Sequence, residues 1–223
     1  MARQLVLELG HRPASGREDF LVAPPNETAV ATIDAWPDWP AGIGSLSGPE
    51  GSGKTHLAEG WRAAANAASV APGDMVDTAI PDLVARRALI LEDLGPLDPS
   101  KERALFHLVN LVRAEEAFLL ITSRNPLARI QLRLPDLVSR LRPVPPVELG
   151  PPDDALLACI LVKLFADRQL RATPAVISYL ASRIERSVAA AREAVAALDR
   201  ASLSGKRPVT VPLAAEVLSG RSE

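Results

Sequence analysis

Gly48-Pro49-Glu50-Gly51-Ser52-Gly53-Lys54-Thr55 is the stretch whose reading decides the fold. It matches G-x-x-x-x-G-K-[ST] at every fixed position. Glycines let successive backbone N–H groups turn inward around phosphate oxygens. Lys54 supplies a point charge to the outer phosphates, and Thr55 offers a hydroxyl to Mg2+. A helix opening at Lys54 adds the partial positive charge of its N-terminus. The flanks agree with this reading. "IGSLSG" before the loop reads as a strand, and the residues after it read as a helix from Lys54 to about Ala68. Gly48 to Thr55, with the adjoining His56, are therefore taken as the nucleotide-binding residues.

A phosphate cradle of this kind needs a partner acid at the end of a neighbouring strand to hold the metal. "ALILEDL", Ala88 to Leu94, is the good candidate. Two registers stay open. With Glu92 on the metal, its extra methylene shifts the carboxylate, and Asp93 stands short in the position of the catalytic base. With Asp93 on the metal, Leu94 follows and no base remains. Either arrangement departs from an efficient ATPase.

Outward from the loop, the chain alternates short apolar runs with helical patterns. "DFLVAPP" gives a short extended piece, and an amphipathic helix follows, ending near Trp36. Strands are expected around Met75–Thr78, at Ala88–Glu92, in "FLLITS" and around Val147, with a Ser-capped helix in "SKERALFHLVNLVRAEEA". Strand–helix alternation implies a parallel α/β sheet. After Gly150 the pattern becomes three successive helices, then a short extended piece and a last helix. The expected organisation is a tail and linker over 1–17, a nucleotide-binding α/β domain over 18–150 and a helical lid over 151–223.

The 223 residues carry a formal charge of −2. Proteins that live on nucleic acid draw most of their non-specific affinity from a basic excess, so DNA contact is expected only indirectly. The single cysteine, Cys159, permits no intrachain disulfide. That suits a reducing compartment. His11, His56 and His107 lack the spacing of metal ligands. With no secretory pattern and no apolar run long enough to span a bilayer, the expected location is the cytoplasm, without membrane contact.

With the phosphate loop, "ALILEDL", "LLITS" and the helical tail in view, the chain resembles the AAA+ domain of the bacterial initiator DnaA. It is more similar to the shorter Hda regulators of alphaproteobacterial type, over almost its whole length. The fold this implies is a P-loop AAA+ parallel sheet sandwiched by helices, followed by a small all-α lid. "FLVAPPNETAVATI" resembles the segment whose backbone borders the adenine, which brings in Val22. "LPDLVSRL" resembles the family's box VII and puts Arg140 where the family has its arginine finger. Counting back from "PVTVP", the sensor II position falls on Ala189. A looser match to "AREAVAALDR" puts it on Arg192, with Arg186 the other neighbour. The sensor I acid is absent, since Arg124 stands there. "QLVLEL" resembles the strip that docks in the sliding clamp of DNA polymerase III, through Gln4, Leu5, Leu7 and Leu9.

The resemblance implies a regulator that holds ADP or ATP with Mg2+ and hydrolyses it weakly. It docks on the β sliding clamp and promotes hydrolysis of the ATP held by DnaA, with Arg140 acting in trans. Such a chain can form a homodimer or higher oligomer. The sequence ends soon after the lid without the helix-turn-helix domain of DnaA, so DNA is reached only through partners. The rivals are a P-loop ATPase that loads or remodels a helicase, and a P-loop kinase acting on a small molecule.

Overall fold

Parallel strands are covered on both faces by their crossover helices, so they read as unbroken apolar runs. The runs "IGSLS", "ALILEDL" and "FLLITS" obey this rule. In the computed structural model, which describes residues 21–220, they form β1 (Ile43–Ser47), β3 (Ala88–Leu94) and β4 (Phe118–Ser123). A short β2 (Ala68–Val70) completes a four-stranded parallel sheet in the order β1-β4-β3-β2. Side chains alternate across the sheet. Leu89, Leu91, Leu119 and Ile121 share a core with residues of α3 (Ile80–Val84), α4 (Pro99–Ala114) and α5 (Pro135–Leu141). Ile90, Leu120 and Leu46 face α1 (Glu27–Asp34) and α2 (Lys54–Ala65), where Ile33, Leu57 and Trp61 are fully buried.

The described chain divides into two compact units. One holds the residues up to Pro49 and Lys54–Leu149; the other holds Glu50–Gly53 and the residues from Gly150 onward. The second is all-helical outside its loop segment: α6 (Asp154–Asp167), α7 (Pro174–Ala181), α8 (Val188–Gly205) and α9 (Val211–Ser219). Asp153, Ser187 and Thr210 cap α6, α8 and α9 by accepting backbone N–H bonds at 2.7, 3.0 and 3.4 Å. Its core is built from Leu157, Leu161, Phe165, Leu180, Val195, Leu198 and Leu213. The molecule is thus an α/β sheet layered between helices, plus an all-α unit.

Several local expectations need correction. The helix after the loop stops at Ala65, not Ala68. Asn66 turns left-handed (φ 50°), and the Ala67 N–H donates to the Arg62 carbonyl at 3.0 Å, a glycine-like helix stop for which asparagine is the next best residue. The strand then occupies Ala68–Val70. Met75–Thr78 is no strand: Pro72–Asp74 and Asp77–Ala79 form tight 3-10 turns on either side of Met75. The cap of α4 is Asp98, not Ser100. Pro99 fills the first helical position, and the Asp98 carboxylate accepts from the N–H groups of Ser100 and Lys101 at 2.8 and 3.0 Å.

The expected strand at Val147 shrinks to a single bridge between Ser47 and Glu148. The Ser47 N–H donates to the Val147 carbonyl (2.8 Å), and the Leu149 N–H to the Ser47 carbonyl (2.7 Å). Above this point Pro145 and Pro146 have no N–H to offer. The Ser45 hydroxyl instead donates to the Pro145 carbonyl at 2.7 Å.

Candidate functional site

The phosphate loop leaves the carboxyl end of β1, the end where open α/β sheets bind ligands. The Gly48 N–H donates to the Ser123 carbonyl at 3.2 Å, tying the loop's first turn to β4. Gly51 is left-handed (φ 75°), and a Cβ there would meet the Ser187 Cβ at 2.7 Å. Gly53 also needs a positive φ, of 102°. These are conformations that side-chain-bearing residues enter at a cost. Pro49 and Glu50 are exposed; Ser52 is buried, and its hydroxyl has no hydrogen-bond partner among the described residues. A buried unpaired hydroxyl inside a glycine-lined loop fits a phosphate oxygen. The Lys54 ammonium donates to the carbonyls of Gly48 (2.7 Å) and Pro49 (2.8 Å), so it lies along the loop rather than out in solvent. Thr55 is exposed in the first turn of α2, and His56 beside it is half-buried. The residues present fit a nucleotide's phosphates.

The acids at the end of β3 are both engaged. Glu92 accepts a hydrogen bond from the Ser69 hydroxyl of β2. Between Leu91 and Leu94 the pairing with β4 slips by a residue. The slip leaves Asp93 left-handed (φ 51°) with its N–H donated to the Thr122 hydroxyl at 2.9 Å. The Asp93 carboxylate then lies 3.7 Å from Arg124 Nε, both side chains being 63% exposed. An ion pair so exposed is worth about 0–1 kcal/mol. It still sets Arg124 against the Asp93 carboxylate. Among the described residues no three His, Cys, Asp or Glu side chains cluster as a metal nest. Mg2+ would then rely on Thr55, an acid of this pair and the nucleotide's own oxygens.

Val22 is half-buried against the α1–α2 core. Its backbone neighbours are fixed by Asn26, whose side chain donates to the Leu21 carbonyl (2.8 Å) and accepts from the Ala23 N–H (2.9 Å). Asn26 escaped the sequence reading, although a polar residue just ahead of a helix was a usable signal. Arg140 is exposed on α5 and forms no ion pair among the described residues, not even with Asp136 one turn back.

In the helical unit, the Val188 N–H donates to the Gly51 carbonyl at 2.8 Å. Beside that bond lies a cleft of about 530 Å3, lined among others by Gly51, Arg183, Ser187, Ala189 and Glu193. Ala189 therefore faces the loop residue; Arg192 is exposed and does not line the cleft. Arg186 is drawn to Asp154 at 2.8 Å, and Arg183 stacks on the Tyr179 ring, 3.9 Å from its centroid.

Residues 155–218 match the family model of the Hda lid domain. Domain III of the Thermotoga maritima replication initiation protein DnaA superposes with a TM-score of 0.78 over 92% of this chain and 95% of that one, at 19% identity. The chain thus carries an Hda-type lid segment together with the fold of a DnaA AAA+ domain. AMPPCP-bound DnaA from Aquifex aeolicus follows the same fold (TM-score 0.69, 17% identity, 85% of this chain and 66% of that one). So does the RuvB Holliday junction branch migration motor of T. maritima (0.65, 15%, 87% and 67%). An uncharacterised protein of Haemophilus influenzae is 27% identical over 183 residues, 77% of this chain and 79% of its own.

In this chain the sequence-derived candidates fall into separate places. Gly48 to Gly53 form the loop and Lys54 to His56 the first turn of α2; Glu92 and Asp93 close β3 but engage Ser69 and Arg124; Arg140 is exposed on α5. Gln4, Leu5, Leu7 and Leu9 lie outside the described residues. Glu102, which the sequence reading passed over, is only 2% exposed. It stands at the head of the apolar stripe Leu105, Val109, Val112 at helical spacing, and an acid in line with such a stripe was the signal available. No described helix is long and apolar enough to cross a membrane.

Proposed function

We propose that this chain is a cytoplasmic, nucleotide-binding regulator of replication initiation. It carries an adenine nucleotide, chiefly ADP, with Mg2+ in the Gly48–Thr55 loop. It docks on the DNA polymerase III β sliding clamp through Gln4, Leu5, Leu7 and Leu9, and promotes hydrolysis of the ATP held by DnaA. Arg140 is the arginine finger, supplied in trans to DnaA's γ-phosphate, where it offsets charge developing in the transition state. The observation that carries the reading is the contrast between a well-formed phosphate loop and an Arg140 that is exposed and without an acid partner on α5. The test follows ATP remaining on DnaA over time, with clamp loaded on DNA and this protein added. Hydrolysis no faster than without the protein refutes it.

The chain's own hydrolysis should be slow, because Asp93 is a short acid turned toward Arg124. Steady-state turnover of about 1 per second or more, in the ordinary enzyme range, would contradict this. It would bring forward the rival of an ATPase that loads or remodels, which the fold shared with a branch migration motor favours.

Gln4→Ala with Leu5→Ala should end clamp binding and leave the melting temperature unchanged. Each buried leucine supplies roughly 1.5–3 kcal/mol before ordering costs, so one strip gives a modest affinity that two substitutions remove. Equal capture by immobilised clamp of wild type and double variant would sink the docking role. A lowered melting temperature would mark the strip as part of the fold instead.

A further inference from the structure

Among the described residues, Glu102 is the only buried one that bears a charge. A carboxylate is buried at a high cost unless hydrogen bonds replace its water. Here the donors are backbone groups: the Arg133 N–H lies 3.0 and 2.9 Å from the two carboxylate oxygens, and the Leu134 N–H lies 2.7 Å from one of them. Leu134 is the residue just before α5, in the N-cap position, and no side chain of its own segment caps the helix there. Pro135 follows and brings no N–H. The cap of α5 is thus supplied from α4, across 32 residues of sequence.

The consequence reaches Arg140. Helices as short as α5 do not stand on local propensity and take their direction from what holds them. Leu137 and Leu141 seat one face in the core, and Glu102 fixes the entry. Arg140, in the last turn, has no ion pair of its own to set its course. We propose that Glu102 is a positioning residue for Arg140, locking the angle at which α5 presents the guanidinium to a partner's triphosphate. The proposal rests on the reading of Arg140 as a finger acting in trans.

The test compares Glu102→Ala, Glu102→Gln and Arg140→Ala in the full chain, measuring DnaA-bound ATP hydrolysis against added protein. A displacement of about 1 Å remote from the chemistry can cost up to roughly 10²-fold. Glu102→Ala should therefore lower the maximal stimulated rate about ten- to a hundred-fold, with the half-saturating concentration and nucleotide affinity unchanged. Glutamine keeps one acceptor oxygen but turns an NH2 group on a second N–H, so its maximal rate should fall between. If Glu102→Gln stimulates at the wild-type rate, whether the alanine variant matches it or fails to fold, Glu102 is a core residue only and the proposal is overturned. Loss of nucleotide affinity in step with rate in both variants overturns it as well. If Arg140→Ala itself stimulates fully, the finger reading has failed rather than the positioning.

Discussion

Arg140→Ala is expected to keep nucleotide binding and clamp binding, yet lose stimulation of ATP hydrolysis on DnaA. Arg140 is exposed near the end of α5, and among the described residues no carboxylate holds it. Among the described residues its removal therefore breaks no hydrogen bond or ion pair of its side chain. Arginines that meet a transferring phosphoryl group contribute factors of about 10³–10⁵ in related reactions. The defect should be a near-complete loss rather than a graded one, read as ATP persisting on DnaA with clamp present on DNA. Should the variant stimulate as well as wild type, Arg140 is not the finger and Arg142, also exposed just beyond α5, is the next to test.

Lys54→Ala is the second large effect. The ammonium now bridges the Gly48 and Pro49 carbonyls, within one side-chain swing of any phosphate in the loop. A charge-assisted contact of this kind contributes on the order of 1.5–3 kcal/mol, roughly a ten- to hundred-fold loss of affinity. Losing the brace on two loop carbonyls adds to it, so binding should leave the range calorimetry reads. The loop's first turn persists through the Gly48–Ser123 bond. The variant should also melt earlier than wild type in excess ADP, because ligand linkage is gone. Unchanged affinity would remove the phosphate-loop assignment altogether.

What was legible in the sequence was whatever depends on local pattern. The loop's glycines, the apolar runs of β1, β3 and β4 and the four helices after Gly150 were all readable that way. What was hidden depends on partners far along the chain. β2 is three residues long and defined only by its ladder to β3, so its first residue, Ala68, reads as the end of the preceding helix. The one-residue slip that turns Asp93 toward Arg124 arises from pairing between β3 and β4, and neither register weighed for Glu92 and Asp93 contained it. The lid arginines could not be ranked by motif matching, since one helical turn decides whether Ala189 or Arg192 faces the cleft. Glu102 was invisible as a cap because the helix it caps lies 32 positions away.

The proline pair beside β1 has a consequence for how copies of this chain could meet. A sheet's margin is where foreign strands add on, by reading its free N–H and C=O groups. On the β1 side, Val147 and Leu149 already use the groups of Ser47, and Pro145 and Pro146 present no donors for an incoming backbone. On the other side, β2 offers a margin three residues long. Among the described residues, neither flank is a good template for continuous cross-chain pairing. The protein can thus be brought to high local concentration without its sheet seeding an aggregate. An oligomer formed through the described residues is then built from side-chain surfaces, which dissociate more readily than a shared sheet and suit a contact that must be made and released.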